Sequence, residues 1–130
     1  MVDISIREYM DNNGRITSVD LMEIINLFRE AEKLSKINHD DVIKHIEEEI
    51  EALECCELDY DNLFLKKEDG SYLITKNGVM QILSGSESVL ARYHVLEYIT
   101  ALEKEFRILQ AQQYIREQER LKNNNRNRKE

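Results

Sequence analysis

Not one proline interrupts this chain of 130 residues, and its only glycines are Gly14, Gly70, Gly78 and Gly85. With so few residues that break a backbone ladder or favour positive φ, helix is the default conformation, and each break needs a local cause.

The breaks fall between periodic stretches. A short apolar start (Ile4, Ile6, Tyr9) runs into the turn formers Asp11-Asn12-Asn13-Gly14-Arg15, which can end a short helix or strand. Thr17 or Ser18 then caps a helix whose stripe is Val19, Met22, Ile25 and Phe28, widened by Leu21, Ile24 and Leu27. Residues 29–36 either continue that helix or loosen into a linker. Asn38 caps the next helix, with Asp40 and Asp41 in its first turn and Val42, Ile46, Ile50 and Leu53 on one face, assisted by Ile43.

Residues 63–75 carry the one β signal, two short β-forming runs around Asp69-Gly70, a pair suited to a two-residue hairpin turn. Thr75 caps a short helix that Gly85 stops. Ser86 caps the last helix, where Val95, Ile99, Leu102, Phe106 and Leu109 repeat at four and three before Gln113 and Arg116 turn the register polar. Such a seam either closes the chain's own core or pairs with a second copy. Because it runs past where the domain should end, it predicts a homodimer through Ile99, Leu102, Phe106 and Leu109. Residues 122–130 contain no apolar side chain to offset their ordering entropy.

The expected fold is therefore mainly α with one β-hairpin. Residues 1–86 form a winged-helix-like domain, 87–121 a long C-terminal helix and 122–130 a disordered basic tail.

Charge is unevenly placed. Between His39 and Asp61 ten acids face Lys44 alone, a local charge of −9 in a chain whose total is −8. The helix that a helix-turn-helix protein would lay against DNA is thus the acidic one, with Asp40, Asp41, Lys44, Glu47, Glu48 and Glu51 away from the apolar stripe. An acidic block repels phosphates and attracts basic surfaces, so these six residues are the candidate partner-binding set. The candidate nucleic-acid contacts are Lys66 and Lys67 of the hairpin and Arg126, Arg128 and Lys129 of the tail.

The residues point away from catalysis. No nucleophile with its base, phosphate-cradling glycine loop or metal-ligand cluster has its motif here, so neither enzyme activity nor cofactor or metal is expected. His39 and His45 are six apart, the wrong helical spacing for one metal, and His94 is distant. Cys55 and Cys56 are adjacent, a poor geometry for a disulfide and without the two intervening residues of a redox pair. They read as free thiols in a reducing compartment. No apolar run approaches the roughly 18 residues of a membrane span, and the first residues are not a basic-then-apolar leader, so the expectation is an intracellular protein without membrane contact.

From Tyr72 to Gly85 the chain, Tyr-Leu-Ile-Thr-Lys-Asn-Gly followed by a short apolar helix and a glycine, resembles the Rha family of phage regulatory proteins. That family carries tyrosine-leucine-x-threonine-basic-aspartate-glycine there. Ala91, Tyr98, Ile99 and Leu102 agree in spacing downstream. Upstream, Ser18 and His39-x-x-Val42-x-x-x-Ile46 resemble its opening serine and its histidine-valine-isoleucine helix. Asn77 replaces the usual aspartate, and Ser88-Val89-Leu90 replaces a glycine followed by basic residues. The resemblance implies a small prophage-encoded regulator or antirepressor in a bacterial cytoplasm, without catalysis. Joined to the charge, it predicts capture of a protein such as a repressor through the acidic helix. Direct DNA binding by a winged-helix regulator and DNA-mimicking inhibition of a bacterial defence complex, as an anti-CRISPR does, are the alternatives.

Overall fold

The computed structural model describes residues 6–128, with side chains through 124. Its elements follow in the order α1 (Ile6–Asp11), β1 (Ile16–Thr17), α2 (Ser18–Ala31), α3 (His39–Cys55), β2 (Phe64–Lys66), β3 (Tyr72–Ile74), α4 (Lys76–Leu83) and α5 (Val89–Arg128). It is mainly helical, with a small antiparallel sheet and a long C-terminal helix. Ile4 and Lys129 lie outside the described residues.

Local chemistry starts the helices. Thr17 Oγ1 accepts from Asp20 N–H at 3.1 Å, fixing Thr17 as the cap of α2. Asn38 and Asp41 form a reciprocal capping box, Asn38 Oδ1 accepting from Asp41 N–H at 2.8 Å and Asp41 Oδ2 from Asn38 N–H at 3.0 Å. Thr75 Oγ1 accepts from Gly78 N–H at 3.2 Å to start α4. For α5 the expected cap is displaced: Ser88, fully buried, accepts from Ala91 N–H at 3.0 Å, while Ser86 only accepts from Ser88 N–H. Ser88 thus fills the capping role expected of Ser86.

Three helices end in the same way. Beyond α1, α2 and α3 the chain passes through Asn13, Lys33 and Glu57 at φ 56°, 62° and 57°. The next N–H then reaches back five residues: Gly14 to Tyr9 O at 2.9 Å, Leu34 to Arg29 O at 2.8 Å and Leu58 to Leu53 O at 2.9 Å. This is the Schellman arrangement, normally built on glycine, here built on asparagine and two charged residues. It resolves the fate of residues 29–36: α2 stops at Ala31, and Asn26 and Arg29 clasp the following loop. Asn26 exchanges two 2.9 Å hydrogen bonds with the Ile37 backbone, and Arg29 Nε donates to Ser35 O at 2.6 Å.

The sheet has the order β1-β3-β2, all antiparallel. The hairpin is as expected, but its turn is longer than the predicted two residues. Lys67 N–H donates to Ser71 O, Gly70 N–H donates to Lys67 O, and Gly70 sits at φ 89°, so three residues bridge the strands. Asp69 Oδ1 accepts from both the N–H and the hydroxyl of Ser71, and these bonds hold its carboxyl below the usual range. β1 is a strand that periodicity did not disclose, with Ile16 opposite Ile74 and Thr17 opposite Leu73.

The core lies where α2, α3, α4 and the near part of α5 meet the sheet, and Leu21, Ile46, Phe64, Val79 and Val95 are among its sealed members. Val42 and Ile46 of α3 are buried as their spacing implied. In α2 the buried stripe is Leu21, Ile24 and Ile25, and Val19 is exposed. Ile99 and Leu102, expected at a dimer seam, belong instead to this core, because α5 packs back against α1, α2 and α4. Phe106 completes it edge-on to Tyr9, ring centroids 5.6 Å apart. α5 then continues to Arg128, beyond the expected end at residue 121, since extending a formed helix adds one hydrogen bond per residue fixed and needs no apolar contact.

The residues that carry the Rha resemblance make one splice. Tyr72 and Ile74 are buried in β3, Thr75 caps α4, and Thr75 Oγ1 also donates to Asn62 O at 2.7 Å. Gly78 lets α4 touch the preceding chain, since a Cβ there would run into Leu63 O. Gly78→Ala should therefore cost about 1–3 kcal/mol by overpacking, read as a lower urea midpoint. Glu57→Gly should stabilise by about 0.5 kcal/mol and raise that midpoint, because glycine relieves a left-handed residue.

Candidate functional site

α3 presents two faces. Val42 and Ile46 are sealed in the core with Ile43 and Ile50 half-buried beside them, which turns Asp40, Asp41, Lys44, Glu47, Glu48 and Glu51 out to solvent. The structure therefore brings the six predicted partner-binding residues onto one exposed side of one helix. Among the described residues, Glu47, Glu48 and Glu51 have no ion-pair partner. Glu49 lies 3.8 Å from His45 Nε2, a contact that is an ion pair only when the imidazole carries a proton. The acidic surface continues past the helix, where Tyr60 O–H donates to Glu54 at 3.0 Å and that bond raises the phenol's pKa. It also reaches the sheet: burial, and then the Glu47 charge, push the Tyr72 phenol upward.

Nothing in local stability calls for these acids. Glu51, Glu54 and Glu57 crowd the C-terminal end of α3, whose last turn holds no basic residue, against the helix dipole. Glu57 does so from a left-handed backbone.

What fixes the helix in place is a buried hydroxyl. Ser18, at the start of α2 and fully buried, accepts from Tyr72 N–H at 3.1 Å and lies 2.8 Å from His39 Nε2. Through these two contacts the hydroxyl ties β3 to the first residue of α3. Ser18 and His39 resemble a nucleophile and base only on paper, because the oxygen is sealed from solvent. Both were singled out by the family resemblance, yet nothing in their 21-residue separation announced the bond.

The other candidates are scattered. Lys66 and Lys67 are exposed on the hairpin, beside the acids Glu68 and Asp69. The side chains of Arg126 and Arg128, and all of Lys129, lie outside the described residues. His45 sits against Gly85, and His94 stacks on Phe28 at 5.5 Å, so the three histidines occupy three places. Among the described residues no cluster could hold a metal, and no helix is long and apolar enough to cross a membrane. Cys55 and Cys56 are free and exposed. On the far part of α5 the exposed apolar residues are Ile108, Tyr114, Ile115 and Leu121; Ile108 and Ile115 lie opposite the stripe of Ile99, Leu102 and Phe106, while Tyr114 and Leu121 flank it.

No protein-family model matches the chain, and no curated protein or solved structure does. Its function has to be argued from the surface itself.

Removing the Ser18 hydroxyl tests the anchoring. Ser18→Ala should cost about 1–3 kcal/mol, because a buried N–H loses its acceptor, and hydrogen exchange at Tyr72 should accelerate.

Proposed function

We propose that this chain is a Rha-like phage regulatory protein, a winged-helix-like domain that acts by protein binding, with α3 as its docking surface. The observation that carries the reading is the row of exposed, unpaired carboxylates Glu47, Glu48 and Glu51 on α3. Surfaces of this kind attract a basic partner over several ångströms and repel phosphate. The order helix, strand, helix, helix, hairpin, with β1 paired to β3, supports a winged-helix-like unit in which α3 takes the reading position. The partner would then be the basic DNA-reading surface of a repressor, and the protein an antirepressor, non-enzymatic, in the cytoplasm of a bacterium. Homodimerisation through α5 belongs to the same reading: with Ile99, Leu102 and Phe106 taken up by the core, it would use Leu109, half-buried outside that core, and the exposed apolar residues beyond it.

Exposed Lys66 and Lys67 favour direct DNA contact as a second reading. One experiment separates the two. Changing Glu47, Glu48 and Glu51 together to lysine should abolish capture of the partner from a lysogen while the thermal midpoint stays within a few degrees, these side chains being exposed. Unchanged capture, or DNA binding by the unaltered protein that strengthens as salt falls, would overturn the antirepressor reading.

A further inference from the structure

Arg29 has a use beyond clasping the loop after α2. It is 8 % exposed, its Nε donates to Ser35 O, and among the described residues no carboxylate ion-pairs with it. A largely buried guanidinium with no carboxylate within ion-pairing distance keeps donors available for an anion. The nearby acids are otherwise placed: Asp41 is engaged in the capping box of α3, and Glu87 is exposed. Arg29 lines a cavity of about 230 Å³ between α2, α3 and the turn after α4, whose apolar wall is Ile25, Ile37, Val42 and Ile82. This is room for several waters but below the roughly 300–1,000 Å³ of drug-sized sites, so an occupant would have few heavy atoms.

We propose that this cavity binds a small aliphatic monocarboxylate, its carboxylate on the Arg29 guanidinium and its body against Ile25, Ile37, Val42 and Ile82. The fork of N–H donors on arginine matches a carboxylate. Asp41 and Glu87, which also line the cavity, add negative charge that disfavours a doubly charged anion. The same chemistry is offered by a free branched acid and by the C-terminal end of a peptide. The site is independent of the acidic face and stands or falls without the antirepressor reading.

The test is a titration of the full chain followed by ¹⁵N NMR, with isovalerate, a short peptide ending in a free leucine, the same peptide amidated, and inorganic phosphate. Saturable shifts at Arg29 Nε–H and the amides of Val42 and Ile82, with a Kd of about 1 mM or tighter, are expected from isovalerate or from the free-ended peptide. The first identifies a free acid as the source and the second a chain end. No saturable shift from either, or equal shifts from phosphate or the amidated peptide, overturns the proposal. Arg29→Lys should weaken binding about tenfold. Glu87→Gln, an exposed change that leaves the clasp intact, should tighten it, and unchanged affinity in both variants also overturns the proposal.

Discussion

One buried oxygen holds together the parts that local rules would leave loose. Ser18 Oγ takes the Tyr72 N–H and meets His39 Nε2, so a single atom links the first turn of α2, the inner strand of the sheet and the first residue of α3. A fully buried hydroxyl must satisfy its hydrogen-bonding capacity, and only this mutual placement does so. Around it the apolar groups merely have to fill space. The direction in which α3 presents its outer face follows from this point and from the Val42 and Ile46 side chains beneath it.

Much of this was legible because it is local. Thr17, Asn38 and Thr75 act as caps, and α3 buries the expected side, since hydroxyl or amide caps and three-and-four spacing work within one helical turn. What escaped depends on distant chain. β1 is two residues whose partner strand lies beyond two helices, too short to show alternation. The apolar seam of α5 is identical whether its own domain or a second copy covers it, and for Ile99 and Leu102 the domain does. The hairpin gained a residue because Lys67 and Ser71 bond each other outside the Asp-Gly pair. Of the candidate site, membership was readable from charge and period, while Ser18, His39 and the lone Arg29 acquire meaning only from neighbours that sequence separates.

The acids at the C-terminal end of α3 set charge against stability. Helix ends favour cations where this one carries Glu51, Glu54 and Glu57, and Glu57 also occupies a conformation suited to glycine. Cross-strand hydrogen bonds, caps and core burial hold the domain regardless, so the surface is free to serve another purpose. Solvation alone would be met equally by lysine or glutamine.

α5 leaves the core at Phe106, and from Gln110 to Asn124 every side chain is exposed. Geometrically that makes it a rod that projects from the domain. At 1.5 Å per residue the stretch from Leu102 to Arg128 is about 39 Å long, so a tilt of about 10° at its base would sweep the far end by about 7 Å. Glu32, which accepts from Leu90 N–H and the Ser88 hydroxyl, grips the base of this rod from the end of α2. The length of the helix thus multiplies any change of angle at its base.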